Sequence, residues 1–262
     1  MTFARKHLSI PYAVFLFLFV ILPLSVVLYY AFTDGKGQFT MENFLAFFSN
    51  SRTTGTLVYS IIIALVTTLI CLLLAYPTAY ILARGPFSHR GALLMMVVTP
   101  MWINFTLRVT ALKEILSVIE GNLAWHPFLN TIIGMTYDFL PFMILPVYTS
   151  LLKMDNQLLE AAADLGASGW KIFWKVMLPL SMPGIISGVT MVFLPAMTNY
   201  VVLDMMYNST YIMGSLIGSY FSSYDWNNGS MISTILLLMI VLISLISKRF
   251  GDSEGQRGGA SL

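Results

Sequence analysis

Charge is scarce in this sequence. Only 10% of its 262 residues are Asp, Glu, Lys or Arg, while 57% are hydrophobic, against roughly a quarter charged in a soluble globular domain. So much apolar surface needs lipid as its solvent, which excludes a water-soluble fold. Cysteine is scarcer still. Cys71 stands alone inside an apolar run, which rules out an internal disulfide and a cysteine metal cluster and leaves a small buried hydrophobe. A net charge of +2, with no basic stripe interleaved with exposed aromatics, speaks against nucleic-acid binding. His7, His89 and His126 fall at ends or in loops, without the spacing of an HExxH site, so neither a metal nor an intramembrane enzyme is expected. No GxxxxGKS or GxxxxGKT phosphate loop occurs, so no nucleotide-binding site of that kind is expected in this chain. The alternating pattern of barrel strands is missing too.

What is present is a series of apolar runs of about 20 residues, the length that crosses a hydrocarbon core of about 30 Å. They lie at about Ile10 to Phe32, Thr56 to Ala83, Leu93 to Leu116, Leu129 to Leu152, Leu180 to Met205 and Met231 to Ser247. The expectation is an all-α integral membrane protein of about six transmembrane helices, forming one domain over residues 1–250. The glycine-rich stretch 251–262 is left as a disordered tail. The first run follows Arg5 and Lys6, is long for a signal peptide and lacks a small-residue cleavage site, so it reads as a retained helix. Pro23, Pro77, Pro100, Pro141, Pro146 and Pro195 lie within runs, where neighbouring helices or cavity water can satisfy the freed backbone groups.

Lysine and arginine set the orientation. With a cytoplasmic N-terminus, ten fall inside (Arg5, Lys6, Arg84, Arg90, Lys153, Lys171, Lys175, Lys248, Arg249, Arg257) and four outside (Lys36, Arg52, Arg108, Lys113). Both termini are thus expected in the cytoplasm, with the segment between the fourth and fifth runs.

That segment, about 153–179, reads as two short amphipathic helices. Asp155 or Asn156 can cap the first, which repeats Leu158, Leu159, Ala162 and Leu165 on one face until Gly166 offers a left-handed stop. Ser168 can cap the second, which places Trp170, Phe173, Trp174 and Met177 on one face before Leu178 and Pro179 end it. Helical spacing alone leaves a lipid-interface helix and a docking knob equally open.

The order of residues separates them. Glu160-Ala161-Ala162, three residues, Gly166, nine residues, Val176, one residue and Leu178-Pro179 resembles the EAA loop of ABC-importer permeases, which usually has isoleucine where Val176 stands. The resemblance implies the type I importer permease fold and a coupling-helix loop in which Glu160, Ala161, Ala162 and Gly166 meet the ATPase. Thr99 to Asn104 with Arg108, Tyr137 to Pro146, Leu194 to Met197 and Met213 to Ile217 are similar to the spermidine/putrescine importers, the B-type permease more than the C-type. Iron, sulfate and aminophosphonate permeases share much of the scaffold. The resemblance further implies a bacterial inner-membrane location, two ATP-binding subunits that use ATP as cofactor in place of this chain, a C-type permease and an extracytoplasmic polyamine-binding protein. A passive channel or scaffold has no need of such a loop.

A path for a polycation calls for carboxylates and aromatic faces, and an ionisable residue within a span is a functional candidate. Asp138 and Asp204, with Tyr137, Tyr200 and Trp102, are the path-lining candidates. Asp138 could instead pair with Arg108 on the neighbouring helix, and Asp204 could be a solvated loop carboxylate.

Overall fold

The computed structural model describes residues 9–255. Its helices are α1 (Ile10–Ala31), α2 (Glu42–Ser49), α3 (Ser51–Arg84), α4 (Arg90–Trp102), α5 (Phe105–Glu120), α6 (Pro127–Lys153), α7 (Asn156–Asp164), α8 (Gly169–Thr198), α9 (Tyr200–Met205), α10 (Met213–Ser222) and α11 (Trp226–Gly255). Five of them, α1, α3, α6, α8 and α11, contain stretches long and apolar enough to span a bilayer. Residues 251–255 of the expected tail continue α11, and 256–262 lie outside the described residues.

The third expected span is not one straight helix. α4 and α5 meet at 95°. Thr99–Trp102 tightens into a 3-10 turn beginning Thr-Pro, Ile103 is extended, and Asn104 starts a new helix by accepting the Thr106 N–H at 2.9 Å.

At the centre, α3, α6 and α8 pack together around Ile63, Met135, Met143, Ile144, Leu151 and Met197, all buried. Small residues permit the approach, as membrane packing requires without a hydrophobic drive between helices. A Cβ on Gly184 would stand 2.5 Å from Ser150 Cβ and 2.6 Å from the Pro146 carbonyl oxygen, and one on Gly188 2.6 Å from Met143 Sδ. Gly184→Ala is therefore expected to cost about 1–3 kcal/mol of stability, the usual range for overpacking, read as a lower melting temperature in detergent. Several polar groups in this core find partners within the bundle. Ser60 and Thr68 donate to the carbonyls of Thr56 and Ala64, and Tyr76 Oη lies 3.1 Å from Ser181 Oγ.

α1 stands apart, packed against α11. Asn227 Nδ2 ties their ends by donating to the Thr33 carbonyl at 2.6 Å. Val14, Phe15, Phe17 and Phe19 are exposed on α1, as suits a helix surrounded by lipid or other apolar helices.

Candidate functional site

Three arrangements bear on function: the elbow after α6, a polar cavity at the opposite end, and a buried ion pair between them.

The elbow forms as its sequence dictates. Asp155 Oδ1 accepts the Gln157 N–H at 2.9 Å and so caps α7. Gly166, at φ 77°, closes the helix in a Schellman motif: Ala167 N–H donates to the Ala162 carbonyl at 3.1 Å and Gly166 N–H to the Ala163 carbonyl at 2.8 Å. Glu160, Ala161 and Gly166 are exposed and Ala162 is half-buried, so all four can meet another protein. Among the described residues Glu160 makes no ion pair.

The second half of the elbow departs from expectation. Leu178 and Pro179 do not end it; Gly169–Thr198 is one continuous helix. Phe173–Met177 widens into a π-helical segment in which the Leu178 N–H reaches the Phe173 carbonyl, and the wider turn accommodates a proline that can neither donate nor fit a regular α-turn. Ser168 occupies the cap position without a side-chain bond. Trp170, Phe173 and Trp174 cluster with ring centroids 5.4–5.9 Å apart.

At the other end the fifth expected span breaks at Asn199, and α9 and α10 form a hairpin tucked into the bundle. Gly134, seven residues into α6, receives the side chains of Val202 and Met206, each 3.0 Å from where its Cβ would be. The Met213 N–H donates to Ser60 Oγ at 2.9 Å, nine residues into α3. At a rise of 1.5 Å per residue, the hairpin reaches about 10–13 Å below the helix ends. Irregular backbone at such depth must be satisfied by protein or line a wet cavity. Both conditions are met. Asn208 Nδ2 donates to Tyr59 Oη (2.9 Å) and Thr131 Oγ1 (3.0 Å), while Ser215 Oγ accepts the Ile212 N–H at 2.9 Å. Tyr200, Asp204, Thr210, Tyr211, Ser215 and Ser219 then enclose most of a cavity of about 400 Å³.

Two cations sit over aromatic rings of the same hairpin: Lys113 Nζ lies 4.7 Å from the Tyr207 ring centroid and the Arg52 guanidinium 5.8 Å from that of Tyr211. Of the five path candidates, Asp204 and Tyr200 share this cavity. Trp102, Tyr137 and Asp138 are not among the cavity walls. Trp102 is 87% exposed at the α4–α5 break, and Tyr137 is exposed on the flank of α6. Asp138 takes the alternative its sequence left open: its Oδ1 accepts from Arg108 Nη2, with both side chains buried. Asn208, Ser215 and Ser219 escaped sequence reasoning because they converge through the hairpin.

Beside these three lies a groove of about 740 Å³ between the elbow-proximal halves of α6 and α8, lined by Pro146, Ser150, Lys153, Leu158, Gly184 and Met191 among others.

Residues 75–253 match the family described as binding-protein-dependent transport system inner membrane component. The sequence is 36% identical over 256 residues to the spermidine/putrescine transport system permease protein PotB of Haemophilus influenzae, covering 89% of each chain. It is also 36% identical to the protein of that name from Escherichia coli K12, covering 88% of this chain and 92% of the other. Among solved structures, a chain of a bacterial alginate ABC transporter in complex with a pentasaccharide-bound periplasmic protein superposes with a TM-score of 0.70 at 14% identity, over 92% of this chain and 91% of that one. A chain of the MetNI methionine ABC transporter in an inward-facing form superposes with a TM-score of 0.55 at 18% identity, over 78% of this chain and 98% of that one. These structures bear on the fold alone.

Proposed function

Because the chain belongs to the family of binding-protein-dependent transport system inner membrane components, we propose that it forms half of the path by which an ATP-driven importer carries spermidine and putrescine. The chain is a multi-pass membrane permease subunit of the ABC-importer kind. The observation that carries the substrate class is the α9–α10 cavity. A polyamine is a flexible polycation, and Asp204 with the ring of Tyr200 offers its ammonium groups a carboxylate and an aromatic face in a cavity set within the bundle.

In this reading both termini and the elbow are cytoplasmic, supported by the ten-to-four bias of Lys and Arg, and the cavity opens toward the outside. A binding protein delivers the solute there. Two ATP-binding subunits hydrolyse ATP, which this chain does not bind, and one of them takes α7 into a groove through Glu160, Ala161, Ala162 and Gly166. A second, C-type permease completes the path, and the groove between α6 and α8 lies on the way to the cytoplasm. ATP shifts the bundle only as far as it binds the closed ATPase pair better than the open one.

Proteoliposomes holding the chain with its co-encoded subunits test this reading by ATP-dependent uptake of radiolabelled spermidine and putrescine, with sulfate, a phosphonate and ferric iron as controls. Polyamine uptake supports the reading; uptake of a control solute instead keeps the permease and discards the polyamine. Asp204→Asn is expected to raise the half-saturating spermidine concentration about tenfold, the cost of about 1.5 kcal/mol for one charged hydrogen bond, while leaving assembly with the ATPase intact.

A further inference from the structure

We propose that Arg84 is a positioning residue that locks α7 to α6, so that motion of the elbow reaches the bundle instead of being absorbed by the linker between them. The proposal rests on the importer reading above.

Only Met154 and Asp155 separate the end of α6 from the start of α7. A two-residue linker with free φ and ψ is a hinge, and a hinge at this place would let the ATPase rock α7 without moving a span. Arg84, the last residue of α3, crosses it. One guanidinium nitrogen, Nη2, donates to the carbonyl oxygens of Leu151 (2.8 Å) and Met154 (2.5 Å), and the other, Nη1, donates to Asn156 Oδ1. The first two acceptors belong to the end of α6 and its linker, where the helix dipole is negative and the Leu151 carbonyl otherwise accepts only the Met154 N–H, at 3.3 Å. The third is the first residue of α7. A residue that merely capped α6 would need the two carbonyls alone; the bond to Asn156 is the one that spans the hinge.

The anchor is itself held. Arg90 donates to the carbonyls of Ala83 (2.9 Å) and Gly85 (3.0 Å), closing the end of α3. The inner ends of α3 and α6 and the start of α7 thereby form one rigid corner. A planar fork reaching acceptors on separate elements is a task for arginine, which the single ammonium point of lysine does not perform.

The test uses the reconstituted transporter. ATP hydrolysed per spermidine imported is compared for wild type, Arg84→Gln, Arg84→Lys and Asn156→Ala. The ratio is expected to rise about tenfold in Arg84→Gln, within the ordinary range of coupling free energies, to remain raised in Arg84→Lys, and to rise less in Asn156→Ala, which keeps the cap on α6. Wild-type ratios in both Arg84→Gln and Asn156→Ala overturn the proposal. Should Arg84→Gln fail to assemble, the Asn156→Ala ratio decides alone. A wild type that imports a control solute overturns only the polyamine reading, and the ratio is then taken with that solute. A readout free of any substrate is the distance between spin labels at Thr149→Cys on α6 and Ala163→Cys on α7. The distribution is expected to be narrow in wild type and broad in Arg84→Gln, and one equally narrow in both overturns the lock.

Discussion

Asp138→Leu is expected to destabilise the protein by about 3–5 kcal/mol, because it strands the Arg108 guanidinium in a buried site without its counter-charge. The pair joins α5 to α6 just past the bend between α4 and α5, with side chains only 6% and 5% exposed. Arg108 Nε already lacks a partner among the described residues, so nothing nearby is poised to replace the carboxylate. Replacing both members, Arg108→Met with Asp138→Leu, removes the desolvation cost along with the attraction and is expected to recover most of the loss. Melting temperatures in detergent for the two single variants and the double variant check this. A double variant as unstable as the single would show that the pair is not the unit of stability. Polyamine uptake by the double variant bears on the path: a pair that only braces the bend leaves uptake near wild type once stability is restored, whereas a path carboxylate does not.

That bend illustrates where sequence reading ends. The long apolar runs made the spans legible, since length and hydropathy report directly on the bilayer. Proline positions did not reveal which helices would yield: Pro141 and Pro146 stay inside α6 and Pro179 inside α8, whereas the chain breaks after Pro100, where Asn104 caps a new helix, and again at Asn199, four residues after Pro195. Gly166 was legible as a left-handed stop, which the backbone completes as a Schellman motif. The same motif closes α9 at Tyr207 (φ 56°) and α10 at Tyr224 (φ 60°), where Asn208 and Asp225 N–H groups donate at 2.9 Å to the carbonyls of Leu203 and Tyr220. A tyrosine in a left-handed conformation gives no sequence signal, since tertiary contacts hold it there at a local cost. The α9–α10 hairpin was therefore read as a continued fifth span and a loop. The candidate site divides similarly. Tyr200 and Asp204 share one face of one helix at i and i+4 and could be paired from sequence. Arg84 and Asn156 meet only because α3 and α6 run side by side.

Gly166→Leu is expected to abolish uptake while leaving membrane insertion and the yield of folded permease near wild type. The reasoning compares two costs. Within the chain, no atom lies within 4 Å of where a Cβ would stand, so the only internal penalty is the left-handed conformation, about 1–2 kcal/mol for a residue other than glycine. Outside it, the exposed face with Glu160 and Ala161 must fit an ATPase groove, where truncating or blocking a central contact costs about 2 kcal/mol or more and thus about thirtyfold in affinity. A graded series separates the two costs. Asparagine tolerates the left-handed region better than alanine but is bulkier. If backbone conformation is what glycine supplies, Gly166→Asn outperforms Gly166→Ala; if room for the groove is what it supplies, the order is reversed. The docking reading predicts uptake, and co-purification of the ATPase with the permease, falling from glycine through alanine and asparagine to leucine. Normal uptake by Gly166→Leu would sink the assignment of this face to the ATPase, because a groove closed over Gly166 leaves no room for a leucine side chain on this exposed turn.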